Sequence, residues 1–413
     1  MLDINFIREN SEEVKKGTKE KGHDSKIVDR VLKIDETRRQ LIAEVEKWRQ
    51  VRNKLKKGDV KKGKRIKEML RRLEPDLRAV EEQFNSLLVE IPNLPADDVP
   101  EGKDESKNVE KKKWSKPKKF GFKPRDYQAL GELLDVIDVK TASKVSGTRF
   151  GYLKNEAVQL EFALVQFALE MLVKEGFIPV VPPVMVKDEV MKGMGYLEQG
   201  GEDQAYHLDK DKLYLVGTAE QSIGPMYAGE ILEAKDLPLR YVGFSTCLRR
   251  EAGTYGKDTK GIFRVHQFDK MEMFSFVKPQ PKADKKEHDY LLSLEEKLVK
   301  KLEIPYQIIK MCTGDLGHPA ARKYDINCWF PAEKRYRETH SASTCTDYQA
   351  RRLNIKYREK NKIGFVHTLN GTAFAIGRMI LAILENYQQK DGSVVVPKVL
   401  QKYTCFKKIS PKR

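Results

Sequence analysis

Two apolar runs at alternating steps of four and three, one on each side of a lysine-rich turn, restrict this chain more than any other feature. Upstream, Ile27, Val31, Ile34, Leu41, Val45, Trp48 and Leu55 keep the spacing, with Arg38 and Arg52 in two of its slots. Downstream, Ile66, Leu70, Leu73, Leu77, Val80, Phe84, Leu87 and Ile91 keep it without a gap. Seams of this period are buried only against another helix at a shallow angle, and the turn Gly58-Asp-Val-Lys-Lys-Gly63 supplies the fold-back. The pattern predicts an antiparallel coiled-coil hairpin over about residues 26–91, each helix about 45 Å long at 1.5 Å per residue. Pro75 falls inside the second helix, where its missing N–H predicts a kink.

Charge gathers at the far end of that hairpin. Thirteen Lys/Arg lie between Lys47 and Arg72 against only Asp59 and Glu68, which places +11 of the chain's formal +17 there. Such a field suits a polyanion; a solvated helix face with a basic tip is the plainer reading. Three prolines within Ile91–Pro100 and the basic run Lys111–Lys119 mark a change of organisation. The expected division is an N-terminal domain over 1–110, a linker over 111–125 and a globular domain over 126–413. No apolar stretch approaches the roughly 18 residues of a membrane span, and the start lacks a secretory layout. Five cysteines form no C-x-x-C pair and are odd in number, against a disulfide scaffold or zinc finger. The expectation is a cytoplasmic protein with no membrane contact.

Within the globular part, Phe177–Val186, Lys212–Val216 and Leu239–Thr246 read as strands from their β-branched content and flanking turns. In Gly261–Val277, period-two alternation sets Arg264, His266, Phe268, Lys270 and Glu272 on one face, a ligand-bearing or a solvent-exposed one. Arg249 and Glu251 alternate likewise, and Ala252–Gly261 reads as a long hairpin connection. Arg264 and Glu272 would be about 26 Å apart on an ideal strand, so a bend or bulge is expected near Gln267–Asp269. Phe365–Leu384 reads as strand, glycine turn and buried helix. Arg378 is a cation in that apolar helix and must meet a carboxylate or a phosphate. Glu338 and Ser341 offer oxygen ligands suited to Mg²⁺. Glycine-rich phosphate loops are absent, so a bound nucleotide would have to be held by arginines and an aromatic on a sheet.

Together these residues identify a family. Gly176-Phe-Ile-Pro-Val-Val-Pro-Pro183, Arg249-Arg-Glu251 with Arg264–Glu272, and Asn370-Gly-Thr-Ala-Phe-Ala-Ile-Gly-Arg378 resemble the three signature motifs of class II aminoacyl-tRNA synthetases. Thr218-Ala-Glu220, Tyr324-Asp-Ile326, Asp347-Tyr-Gln-Ala-Arg-Arg352 and the basic arm narrow the resemblance to seryl-tRNA synthetases of the bacterial/eukaryotic type, over essentially the whole chain. The resemblance implies an α+β protein: a helical arm, plus a catalytic domain on an antiparallel sheet flanked by helices, forming a homodimer through the first motif. It implies a ligase that activates L-serine with ATP and Mg²⁺ and passes it to the 3′ end of serine tRNA, with room for selenocysteine tRNA as a second acceptor.

The same resemblance assigns residues. Arg249 would hold the α-phosphate and the reacting carboxylate, Glu251 the adenine amino group, Phe268 the ring, and Arg264 and Arg378 the outer phosphates. Arg250, Thr339 and His340 fall within the ATP-binding runs, and Glu338 and Ser341 would ligate Mg²⁺. Thr218, Ala219 and Glu220 would surround the serine amino group, Glu272 and Thr372 its hydroxyl. Lys54, Lys56, Lys57, Lys61 and Lys62 would meet the long variable arm of the tRNA while its acceptor end enters the active site. The family commonly shows Glu-Ile-Ser-Ser-Cys-Ser where this chain has Glu338-Thr-His-Ser-Ala-Ser343. Rival readings are a non-catalytic RNA-binding paralogue, a ligase loading a carrier protein, and a synthetase for threonine, proline or glycine. The retained Arg249, Glu251, Arg378 and Glu338, the arm, and Thr218 with Glu220, Glu272 and Thr372 disfavour them in turn.

Overall fold

A computed structural model describes residues 1–56, 59–198, 200–252, 261–280 and 283–412. Its contacts divide the chain into two compact units, Met1–Leu94 and Pro95–Arg413.

In the first unit, short helices α1 (Ile4–Glu9) and α2 (Ser11–Glu20) precede α3 (Lys26–Asn53) and α4 (Val60–Leu88). Seam residues Val45, Ile66, Leu70 and Leu73 are buried, with Leu41, Trp48, Leu55 and Leu77 packed on them. Arg38 reaches Glu81 at 4.0 Å and Arg49 reaches Glu74 at 2.8 Å, so residue numbers run in opposite directions along the pair, as an antiparallel hairpin requires. Helix α4 continues through Pro75 to Leu88. At the tip Lys54, Lys56, Lys61 and Lys62 are exposed. Lys57 and Gly58 lie outside the described residues, as do 253–260 of the expected hairpin connection.

The second unit is built on eight strands: β1 (Val109–Trp114), β2 (Ile178–Val180), β3 (Leu239–Leu248), β4 (Gln267–Val277), β5 (Tyr306–Lys310), β6 (Arg322–Phe330), β7 (Arg335–Thr346) and β8 (His367–Ala375). Their spatial order is β1-β5-β6-β7-β8-β4-β3-β2, antiparallel except for β2 beside β3. Helices α5 (Glu156–Lys174), α6 (Glu220–Ile223), α7 (Ala283–Lys301), α8 (Tyr348–Leu353) and α9 (Ile376–Tyr387) complete the frame. Alternation along the strands separates two faces. Met271, Met273, Ile326, Cys328, Phe330 and Phe374 share one apolar core with Leu160 and Leu164 of α5, Leu291 and Leu298 of α7, and Ile380 and Ile383 of α9. That layer leaves the opposite face of the central strands for polar side chains. Among the described residues no helix is long and apolar enough to cross a membrane.

Four expectations change. Val109–Trp114, which overlaps the expected linker, is an edge strand of the main sheet, paired with β5 and anchored by Trp114 stacked on Tyr306 at 5.6 Å. Its Val-Glu-Lys-Lys-Lys-Trp sequence carries no alternation that would reveal it, because an edge strand needs burial only where it is anchored. Phe177–Val186 is two strands, Ile178–Val180 and Met185–Lys187, since Pro182 and Pro183 can donate no ladder hydrogen bonds. The chain bends before β4, at 261–266, and β4 then pairs evenly with β3 from Gln267 onward, so no bulge interrupts that pairing at Gln267–Asp269. Gly371 makes no turn either. It sits inside β8, where an added Cβ would meet Glu295 Oε1 at 3.1 Å.

Candidate active site

A cavity of about 920 Å³ opens over the polar face of β4, β7 and β8 and the end of β3. Its buried part gathers Thr218 just before α6, Glu220 at the start of α6, Glu272 on β4 and Thr372 on β8; none of the four is more than 5% exposed. Glu220 accepts from the Tyr196 hydroxyl at 2.7 Å and from Gln349 Nε2 at 2.9 Å, and Gln349 accepts in turn from Thr368 at 2.6 Å. Burial pushes the Glu220 carboxyl up, opposed by the Gln349 hydrogen bond and assisted by the charge of Glu272. Glu272 forms a buried ion pair with Lys270 and accepts from Thr372 Oγ1 at 3.3 Å across the β4–β8 pair. This end presents two carboxylates and two hydroxyls in a space suited to a small zwitterion.

The wider part gathers cations. Arg249 donates from Nε to the Gly217 carbonyl at 2.9 Å, and its guanidinium lies 5.2 Å from the Phe268 ring centre. Arg264 pairs with Glu251 at 2.7 Å, and Glu251 itself has a left-handed backbone, φ 50°. Such a conformation costs on the order of 1 kcal/mol or more and is concentrated at working sites. Arg378, on the first turn of α9, meets the Glu338 carboxylate at 3.3 Å and its carbonyl at 3.0 Å. Burial would raise the Glu338 carboxyl, but the charges of Arg378, Lys323 and Arg249 outweigh it and hold it down to about 2. Asp325, beneath it, is pushed up to about 7 by burial, against the pull of Lys323. Four cations, Arg249, Arg264, Arg378 and Lys323, thus line the cavity beside the carboxylates of Glu251 and Glu338, and the surplus suits a polyphosphate.

Two register shifts set this geometry. Ile326 pairs with His340 and Asn327 with Glu338, leaving Thr339 as an extra residue on β7. A bulge reverses the alternation beyond it, and this brings Glu338 and Ser341, three apart, to the cavity together while both stay partly exposed. Oxygen donors of this kind fit Mg²⁺. No cluster of three or more His, Cys, Asp or Glu suited to a metal occurs among the described residues, so a metal here would need further oxygens from its ligand. The second shift leaves Ala373 extra on β8 and sets Thr372 opposite Glu272.

Not every expected residue contributes a side chain. Ala219 is fully buried in the apolar cluster with Met194 and Ile223 and does not line the cavity. Arg250 is exposed, donating to the Ala205 carbonyl at 2.9 Å over the Tyr206 ring, also off the cavity lining. Thr339 and His340 line the cavity, yet their side chains are buried, Thr339 donating to the Ile326 carbonyl at 3.2 Å and the His340 ring lying against Phe374. Burial lowers His340 to about 3, so it stays neutral. Sequence reading missed Tyr196, Gln349, Lys270 and Lys323. Lys270 was on the right face of its strand, and Gln349 and Lys323 lay inside or beside noted runs; nothing local marks Tyr196.

Comparison with known proteins bears on this arrangement. Residues 1–95 match the seryl-tRNA synthetase N-terminal domain family, and residues 205–387 the tRNA synthetase class II core domain (G, H, P, S and T). A serine–tRNA ligase of Dictyoglomus turgidum is 43% identical over 427 residues, covering 100% of both chains. The crystal structure of seryl-tRNA synthetase from Pyrococcus horikoshii complexed with ATP superposes with a TM-score of 0.93 at 42% identity, covering 100% of both chains. That of the cytoplasmic enzyme from Naegleria fowleri in complex with AMP gives 0.91 at 32% identity, over 100% of this chain and 99% of the other.

Proposed function

The chain belongs to the seryl-tRNA synthetases, the ligases that charge tRNA with serine, and we propose how its cavity carries out that reaction. Serine sits at the buried end, its ammonium against Glu220 and Thr218, its hydroxyl donating to Glu272 and accepting from Thr372. ATP lies over the wider part with adenine on Phe268 and its amino group on Glu251. Arg264 leaves Glu251 for the outer phosphates, joined there by Arg378, while Arg249 spans the α-phosphate and the serine carboxylate. Thr339, His340 and Arg250, whose side chains point elsewhere, can reach the nucleotide only through the main chain. Glu338 and Ser341 would hold Mg²⁺, which supplies charge neutralisation to the phosphates when bound.

The nucleophile, a carboxylate, is already ionised, so no protein base is required. One of its oxygens attacks the α-phosphorus, the bond to the bridging oxygen breaks, and the electron pair leaves with pyrophosphate. What the protein contributes is alignment and fixed positive charge where negative charge shifts. A terminal ribose hydroxyl of the tRNA then attacks the acyl carbon and AMP leaves. Alanine, lacking the hydroxyl, forgoes the hydrogen bonds to Glu272 and Thr372, which disfavours it relative to serine.

The observation carrying this reading is the single cavity that joins a buried two-carboxylate, two-hydroxyl end to an arginine-rich end. Pyrophosphate exchange with each of the twenty amino acids, without tRNA, tests it. Serine alone should support strong exchange, and a different preferred amino acid would overturn it. We further infer a homodimer through α5 and β2, because Phe162, Ile178 and Val181 are 61%, 46% and 82% exposed there. The first unit, with its basic tip, binds the variable arm of serine tRNA, reading backbone and shape. Five free cysteines, four of them buried, suit a cytoplasmic setting.

A further inference from the structure

Outside the arm, a second run of the chain is strongly charged. Between Val109 and Lys123 stand seven lysines and a single acid, Glu110. With the arm's +11 this segment accounts for the whole of the chain's +17, so the remainder is electrically balanced. Lys111, Lys112, Lys113, Lys116, Lys118, Lys119 and Lys123 are all exposed. Lys112 pairs with Glu296 at 2.7 Å and Lys113 with Glu110 at 2.7 Å. The other five have no carboxylate partner among the described residues. Lys300 on the last turn of α7 shares Glu296 at 3.5 Å, so the end of α7, with exposed Lys301 next to it, extends the same patch.

Lysines on an edge strand guard against strand-to-strand aggregation, which accounts for Lys111–Lys113 on β1. It does not account for Lys116, Lys118, Lys119 and Lys123, which follow the strand where no edge needs guarding. Trp114 on Tyr306 fixes the backbone from which they project. Between β1 and β7, which carries Glu338 and Ser341, lie only β5 and β6. At about 4.8 Å per strand, β1, from whose end the strip continues, is about 14 Å from β7.

We propose that the Lys111–Lys123 strip is a second RNA-binding surface, gripping the sugar–phosphate backbone of the tRNA whose end enters the cavity. This rests on the tRNA-charging reading above. Phosphate contacts carry no sequence information and are felt as salt dependence, about 0.9 in log–log slope for each phosphate neutralised on a duplex.

The test replaces Lys111, Lys116, Lys118, Lys119 and Lys123 together by Ser in the full-length chain. A charge-matched control replaces exposed Lys144, Lys210, Lys235, Lys362 and Lys398 instead. Serylation kcat/KM for a serine tRNA transcript is measured against salt, alongside serine-dependent pyrophosphate exchange. The strip variant should show a tRNA KM raised by about 10-fold at low salt and a slope shallower by about two or more, with exchange unchanged, while the control keeps the wild-type slope. Equal behaviour of strip variant and control would overturn the proposal. So would a loss confined to binding of phosphatidylserine vesicles, with serylation intact. A wild-type chain that exchanges pyrophosphate with serine yet charges no tRNA would remove the parent reading, and the strip with it.

Discussion

Thr372→Val offers a close test of how the hydroxyl is recognised. Valine matches threonine in shape, and Thr372 is 5% exposed, so the change deletes one hydroxyl without opening a void. Thr372 Oγ1 donates to Glu272 at 3.3 Å, and Glu272 keeps Lys270 as partner, so no buried carboxylate is stranded. The fold should therefore survive, unlike Glu272→Gln, which strands a buried lysine at a cost of about 3–5 kcal/mol. The bound serine loses one hydrogen bond within a charged network, about 1.5–3 kcal/mol. At 1.36 kcal/mol per decade this is about a 10- to 150-fold fall in kcat/KM for serine. Alanine has no hydroxyl to lose, so its exchange rate should hold, and the serine-to-alanine ratio should shrink by the same factor. Pyrophosphate exchange with varied serine and alanine reads both. Thr372→Ser should restore the serine rate. A parallel fall for serine and alanine, or no fall for serine, would refute the assignment.

Neutralising Lys54, Lys56, Lys57, Lys61 and Lys62 together should raise the tRNA KM and flatten its salt dependence while leaving pyrophosphate exchange intact; an unchanged slope counts against the arm as the variable-arm contact. Glu161, beside Asp269 on the cavity wall, is raised to about 8 by burial and by that neighbour. The folded state then holds a proton that the unfolded chain releases, so stability falls as pH climbs from the ordinary carboxyl range to about 8 and levels off above it. Glu161→Gln should therefore gain in Tm over the wild type progressively from pH 5 to pH 8, and a pH-independent difference would contradict this. Phe162→Asp with Val181→Asp places charge on the exposed apolar face of α5 and the residue after β2; sedimentation should show the wild type as the proposed dimer and this variant as a monomer, and an unaltered mass would exclude that interface.

The local patterns were legible because their causes are local. A heptad seam fixes which residues of α3 and α4 face each other, whatever the rest of the chain does, and Val45, Ile66, Leu70 and Leu73 are buried accordingly. Alternation along β4 likewise separates Lys270 and Glu272 from Met271 and Met273. Reading Gly371 as a turn failed because a glycine in a sequence can mean a bend or a close neighbour, and only packing against Glu295 distinguishes them. Ala219 and Arg250 stood inside recognised runs yet do not line the cavity. Membership of a motif does not settle where a side chain points.

By itself the sequence determined the helical arm, where its charge lies, and the kinds of group available for binding phosphate and a small zwitterion. Tertiary structure alone decided how those groups meet. The extra residue Thr339 turns Glu338 and Ser341 to one side, the extra residue Ala373 sets Thr372 against Glu272, and Tyr196 and Gln349 come from distant segments to hold Glu220. Strand register and long-range hydrogen bonds depend on which segments pair, and that choice is made by the packing of the whole sheet rather than by any stretch of neighbours.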